Sequence, residues 1–367
     1  MKAATNSDIQ QWIDALRAGD TRALGRAISA VENRAPESAN LLKGLFPYSG
    51  RARVIGLTGA PGAGKSTLVD QLARWYRSGG DPHPVSQTAR DKGGATGSQE
   101  IQSPHSSRIE PGLNGPPTPD KNATPSLKKQ PTIGIIAVDP TSPYTGGAIL
   151  GDRIRMQEHF SDAGIYIRSM ATRGSLGGLA RTTADVAMVL DASGRDLILI
   201  ETVGVGQDEV DIVRLADITV VILVPGMGDD VQSIKAGIME IADIFVINKS
   251  DREGSERVER EIRALQSLAT RQDGWTPPIV KTVASEGKGV DQLAAAIAEY
   301  EAYLQEGDRG LNKRVENWQD RLVEMLRYAM LQKARAQLGD GNLTRLAEEI
   351  AEHKRDPYTL VEELAGK

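Results

Sequence analysis

Nine residues, Gly59-Ala60-Pro61-Gly62-Ala63-Gly64-Lys65-Ser66-Thr67, constrain this 367-residue chain more than any other stretch. They follow the apolar run Val54-Ile55-Gly56-Leu57 and lead into Leu68-Val69-Asp70-Gln71-Leu72-Ala73, an order that reads as strand, glycine-rich turn and helix. The spacing G-x-x-x-x-G-K-[ST] is that of a phosphate-binding loop. Its glycines let the backbone wrap an anion without Cβ clashes, and the N–H groups at the start of the following helix face that anion. All nine residues are candidate nucleotide contacts. Lys65 would reach the β- and γ-phosphates, and the Ser66 hydroxyl would ligate Mg²⁺.

Composition removes several classes of function. The net charge of −5 leaves no general basic field for nucleic acid, and aromatics at 4% are too few for a base-stacking surface. The absence of cysteine excludes disulfides, zinc knuckles and thiol catalysis. The amino-terminal residues carry no apolar stretch of signal-peptide type, and no run approaches the about 18 apolar residues that span a bilayer. A cytoplasmic protein without a membrane span is expected.

From residue 53 onward the pattern alternates. Candidate strands at 53–58, 132–138, 164–169, 196–201, 218–224, 243–248 and 278–283 are short runs rich in Val and Ile, with amphipathic segments between them. Near-continuous apolar strands belong to a parallel sheet buried on both faces. The fold class is therefore α/β, a P-loop NTPase with a mostly parallel, doubly wound sheet and helical extensions at both ends. Residues 1–50 form the amino-terminal extension. Ser7 or Asp8 caps a first helix, a second ends before Pro36, and a short third covers 41–46. The nucleotide domain spans 51–304. Residues 305–367 read as a carboxyl-terminal helical extension, with one helix through Leu322 to Leu331, a second near Leu343 to Ile350 and a last one after Asp356-Pro357.

Residues 81–130 break the rhythm. They hold eight of the chain's 18 prolines and few large apolar side chains, so they read as a disordered insertion. The insertion joins a helix to the amino end of the next strand, away from the phosphates. Its six basic and five acidic residues nearly cancel, which argues against an electrostatic arm.

Ligands of such sheets lie beyond the carboxyl ends of the strands. Three acidic residues fall there: Asp139 ends one apolar run, Asp152 sits on a following loop, and Glu201 ends Leu197-Ile198-Leu199-Ile200. A carboxylate closing an apolar strand is the second magnesium element of these enzymes, so Glu201 is a candidate ligand and catalytic residue. Glu201-Thr202-Val203-Gly204 further resembles a switch whose glycine N–H, here Gly204, senses the γ-phosphate. Asn248-Lys249-Ser250-Asp251 follows another strand and has the N-K-x-D pattern of guanine recognition, which makes Asn248, Lys249 and Asp251 candidate contacts. The Asp251 carboxylate would accept two hydrogen bonds from guanine, a donor pair that adenine lacks. Ala284 and Ser285, after the last strand, would offer backbone N–H groups to guanine O6. Val205 occupies the place where many GTPases carry a water-orienting glutamine, and Gln207 is two residues away. Slow intrinsic hydrolysis follows, with a partner completing the site.

These stretches, with AVDPTSPYTGGAILGDRIRM at 137–156, VPGMGDDVQSIKAGIMEIADIFVINKSD at 224–251 and DPYT at 356–359, resemble the methylmalonyl-CoA mutase-associated GTPases of the MeaB/ArgK type. The resemblance covers nearly the whole chain except 81–130. It implies GTP and GDP as ligands, and a Mg²⁺ site built from Ser66, Asp139, Asp152 and Glu201. It implies a homodimer and an adenosylcobalamin-dependent acyl-CoA mutase as the partner whose cofactor loading is gated, with a cobalamin adenosyltransferase as a further partner. It also implies that 225–237 is a switch, in which Asp229 and Lys235 complete the transition-state contacts once the mutase docks. The competing expectations are a nickel-delivery GTPase, a transport-system kinase and a non-enzymatic binder. The first lacks cysteine and has only four scattered histidines. The second has no evident acceptor residue, and the third is disfavoured by the intact Lys65, Ser66 and Glu201.

Overall fold

The structure is a computed structural model that describes residues 5–80, 130–139, 161–171, 178–202, 215–226, 241–268, 271, 273–338 and 342–365. Apart from residue 130, the insertion lies outside the described residues.

Helix α1 (Asn6–Arg17) begins two or three positions earlier than a cap at Ser7 or Asp8 would require. The cap is Thr5. Its hydroxyl accepts the Asp8 N–H at 3.3 Å, while the Asp8 carboxylate accepts the Thr5 N–H at 2.9 Å. This reciprocal pair satisfies two orphan donors and puts Asp8 inside the first turn. Helix α2 (Thr21–Glu32) is capped by Asp20, which accepts from Arg22 N and Ala23 N. Helix α3 (Ser38–Leu45) starts three residues before the expected segment and runs into a 3₁₀ turn at Phe46–Tyr48.

The sheet contains β1 (Arg53–Gly59), β2 (Ile133–Asp139), β3 (Ile165–Ala171), β4 (Leu197–Glu201), β5 (Ile218–Leu223), β6 (Ile244–Asn248) and β7 (Ile279–Thr282). Their order is β3-β2-β4-β1-β5-β6-β7, and every pairing is parallel. Strands β4, β5 and β6 are buried along their whole length, which is why their sequences are continuous apolar runs. The register sets Leu57 opposite Glu201 and Gly59 opposite Ile222, so β1 ends centrally at the carboxyl edge.

Helices α4 (Lys65–Arg77) and α7 (Val290–Gln305) cover one face, closing over Ile55, Leu57, Leu199 and Val220. Helices α1 to α3 and α5 (Gly178–Ala192) cover the other, over Ile136, Ile198 and Ile200. The amino-terminal helices thus share the core of the sheet. Helix α6 (Ser255–Leu268) packs on β5 and β6 through Val258 and Ile262. The chain then continues into α8 (Arg309–Leu338), α9 (Asn342–Ala351) and α10 (Pro357–Ala365). Charged side chains are among the contacts that pin helix α8. Lys313 donates to the buried carboxylate of Asp243 at 2.6 Å and to the Tyr300 hydroxyl at 3.0 Å, and Arg321 pairs with Asp185 at 2.9 Å. Burial raises the Asp185 carboxyl above its ordinary range, although Arg321 and Arg181 oppose the shift. Among the described residues, no helix is long and apolar enough to cross a membrane.

The link between α3 and β1 is fixed by one side chain. Asp191, in the last turn of α5, accepts the backbone N–H groups of Gly50, Arg51 and Ala52. Three donors on one buried carboxylate fix the entry into the central strand. Asp191→Ala leaves these donors without that acceptor and is expected to cost about 3 kcal/mol. Urea denaturation checks this, with nucleotide affinity of the folded fraction unchanged.

Candidate nucleotide site

The phosphate loop is shaped by contacts that admit no side chain. Gly59 has φ +149°, and a Cβ there would lie 2.2 Å from the Ile222 carbonyl oxygen on β5. Gly64 has φ +87°, and its Cβ would meet Asn248 Nδ2 at 2.4 Å. Gly64 is also the residue before α4 and offers no side chain to cap it, and the N-terminal turn of a helix is the end that favours an anion. Pro61 and Gly62 are exposed, Ala60 is half-buried, Ala63 is buried, and Thr67 is half-buried in the first turn of α4.

Lys65 is buried, and its ammonium donates back to the Gly59 carbonyl at 2.7 Å and the Ala60 carbonyl at 3.0 Å. The loop therefore arches over its own cation. Next to it, the Ser66 hydroxyl donates to Glu201 Oε1 at 2.6 Å, and both residues are buried. Strand β4 carries Glu201 to this point because it neighbours β1 in the sheet. Two candidate metal ligands separated by 135 positions in sequence are thus in direct contact. Asp139 ends β2 at the same edge, two residues beyond Ala137, which is in register with Glu201.

The guanine motif is built into the same structure. Asn248, the last residue of β6, donates Nδ2–H to the Ala63 carbonyl at 2.8 Å. Its Oδ1 accepts from the Thr282 hydroxyl and from the Ala284 backbone N–H, both at 3.1 Å. Lys249, with φ +54°, donates to the Gly62 carbonyl at 2.8 Å. Asp251 stands exposed in the following turn, and Ser285 is exposed in the 3₁₀ turn Ala284–Glu286. The Ala284 N–H, expected to face a base, is engaged by Asn248. Asp152, Gly204, Asp229 and Lys235 lie outside the described residues, as do Val205 and Gln207.

The sequence reading missed one feature of this edge. Thr202 donates its hydroxyl to Thr58 Oγ1 at 3.0 Å, and both are 1% exposed. The available signal was a hydroxyl side chain at the end of each of two apolar runs that the fold sets side by side.

The sequence model of the family described as methylmalonyl Co-A mutase-associated GTPase MeaB matches residues 24–94 and 122–338. This chain belongs to the MeaB family of GTPases. A Pyrococcus abyssi protein that carries a GTPase name is 40% identical over 354 residues, covering 96% of this MeaB-family chain and 94% of its own. The Escherichia coli GTPase ArgK is 32% identical over 327 residues, with coverages of 87% and 82%. A mouse mitochondrial protein named methylmalonic aciduria type A homolog is 38% identical over 200 residues, 52% of this chain and 48% of that one. The crystal structure of a protein called LAO/AO transport system kinase superposes with a TM-score of 0.63 over 99% of this chain and 98% of that one. At 22% identity it shows the shared fold alone. As a MeaB-family member the chain is a GTPase and binds guanine nucleotides.

Asn248 touches the phosphate loop, β7 and the turn after β7 at once. Asn248→Ala is expected to weaken GTP and GDP binding alike by about tenfold or more, since two or more buried hydrogen bonds of about 1 kcal/mol each are lost. Isothermal titration calorimetry with both nucleotides measures it.

Proposed function

We propose that this protein is a Mg²⁺-dependent GTPase switch that gates adenosylcobalamin loading and protection of an acyl-CoA mutase of the methylmalonyl-CoA mutase type. The observation that carries the reading is the matched family, whose description names association with that mutase. The mouse relative, named for methylmalonic aciduria, is in keeping with it.

The chemistry follows from the site. The Ser66 hydroxyl and Glu201 carboxylate form a compact set of hard oxygen donors that fits Mg²⁺. We assign Ser66, Glu201, Asp139 and Asp152 as the residues that hold it, directly or through water. The metal neutralises charge on the β- and γ-phosphate oxygens when bound. Lys65 exchanges its two loop carbonyls for those oxygens, and the N–H groups at the start of α4 surround them. Water attacks the γ-phosphorus, the bond to the β–γ bridging oxygen breaks, and GDP and phosphate result. Gly204 senses the γ-phosphate. Asp251 accepts from the guanine edge beside Ser285 and the turn that begins at Ala284.

Val205 offers no hydrogen bond to orient water, so turnover by the protein alone is slow. The mutase supplies the missing step by reordering 225–237, which brings Asp229 and Lys235 to the transferred phosphoryl group. Two copies associate through the carboxyl-terminal extension, where α8 leaves Leu311, Leu322, Leu326 and Met330 exposed. A cobalamin adenosyltransferase is a further partner in the same delivery sequence.

Two measurements test this reading. Asp251→Asn presents a donor to the guanine donors and is expected to lower the GTP-to-ATP affinity ratio by about tenfold or more. An unchanged ratio removes Asp251 from the base site. Lys235→Ala is expected to keep nucleotide affinity within about twofold of wild type while losing the acceleration of GTP turnover by the cognate mutase. Acceleration equal to wild type overturns the assignment of Lys235.

A further inference from the structure

Neighbouring residues of a strand face opposite sides of a sheet, and the end of β4 divides two of them in this way. Glu201 falls on the side of Leu197 and Leu199, beneath α4, where it meets Ser66. Thr202 falls on the side of Ile198 and Ile200, toward α5. Its N–H donates to the Leu57 carbonyl at 3.1 Å, continuing the ladder to β1 by one residue. Its hydroxyl reaches Thr58, the residue immediately before Gly59. One buried bond therefore joins the strand end that presents Glu201 to the strand end that launches the phosphate loop.

Stability does not call for hydroxyls at this place. The neighbouring side chains on that face, Ile198, Ile200 and Val138, are apolar. Valine has the same branched shape, suits a strand and avoids burying a hydroxyl. A buried hydroxyl pair contributes only about 1 kcal/mol net. What it adds over two valines is direction. A hydrogen bond fixes separation and angle, whereas apolar contact tolerates sliding by a few tenths of an ångström. Sliding of β4 along β1 would move the Glu201 carboxylate relative to Ser66, whose oxygens meet at 2.6 Å.

We infer that Thr58 and Thr202 are positioning residues for GTP hydrolysis, fixing the register between β1 and β4 so that Glu201 is held on Ser66. Neither touches a reacting atom. The inference rests on the catalytic and metal-binding roles assigned above to Glu201 and Ser66.

The test uses the full-length protein and the variants Thr202→Val, Thr58→Val, their combination, Thr202→Ser and the control Glu201→Gln. Four quantities are read: melting temperature, the affinity for a fluorescent GDP analogue, kcat and KM for GTP, and the Mg²⁺ concentration that half-maximally slows release of the analogue. Each valine variant is expected to melt within a few degrees of wild type, to bind the analogue within about twofold, and to lose kcat by about tenfold at unchanged KM. The Mg²⁺ midpoint rises several-fold, a readout that does not depend on turnover. The double variant loses no more than either single one, because both remove the same bond. Thr202→Ser restores kcat and the Mg²⁺ midpoint. Wild-type kcat in both single valine variants, losses that multiply in the double variant, or failure of serine to rescue overturns the inference. If Glu201→Gln abolishes turnover while both valine variants keep it, only the positioning role falls. If Glu201→Gln keeps wild-type turnover, the assignment of Glu201 falls with it.

Discussion

One side-chain amide holds the ligand edge together. Asn248 reaches from β6 across β5 to the Ala63 carbonyl of the phosphate loop, and its oxygen gathers Thr282 and the turn after β7. An amide can do this because it donates and accepts at the same time. Its Nδ2 fills the space a side chain at position 64 would need, so the loop closes only around glycine. The residue that introduces the guanine motif is consequently also a strut of the phosphate loop. Any movement of β6 is transmitted to this loop through a bond 2.8 Å long.

The opposite edge of the sheet is held by charge. Asp243, one residue before β6, is 1% exposed and receives Lys313 from α8, Arg271 and the Thr219 N–H. Burial and the adjacent Asp243 carboxylate push the Tyr300 hydroxyl far above its ordinary range, which keeps it neutral beside that carboxylate. Burial works against charge on Arg271, yet Asp273 and Asp243 outweigh it and hold the guanidinium protonated. Removing one member of such a cluster strands the others, which makes breaking it costlier than never building it. Strand β6 thus has helix α8 fastened at one end and the phosphate loop at the other.

Much of this was legible in the sequence, for identifiable reasons. Strands buried on both faces leave uninterrupted Val and Ile runs, so β4, β5 and β6 fall almost where the apolar stretches predicted. The Ser66–Glu201 contact was foreseeable because a carboxylate closing an apolar strand has few other places to go. Local competition was less legible. Thr5, Ser7 and Asp8 are all plausible caps, and only the reciprocal bond between Thr5 and Asp8 decides among them. Helix α3 begins at Ser38 without a side-chain cap, so no local signal marks its start. The Ala284 N–H could be assigned to a base from its position after β7, but its engagement by Asn248 depends on where β6 stops. The Thr58–Thr202 bond was hidden because it joins residues 144 positions apart whose adjacency comes only from the strand order.

The sharing of one core between the first three helices and the sheet has a consequence for the newborn chain. Helices α1 to α3 leave the ribosome before any strand of the sheet, with Ile13, Leu24, Ile28 and Leu41 on the face that ends up covered. Their covering partners include Ile198 and Ile200 of β4 and Val186 of α5, well over a hundred residues downstream. At ordinary elongation rates that delay is on the order of ten seconds. Through all of it the helical hairpins present an oily surface with nothing to bury it, and Asp191, which fastens their link to β1, has not yet been made. These helices are therefore synthesised well before the elements that cover them, and during translation they need shelter until β4 and α5 arrive.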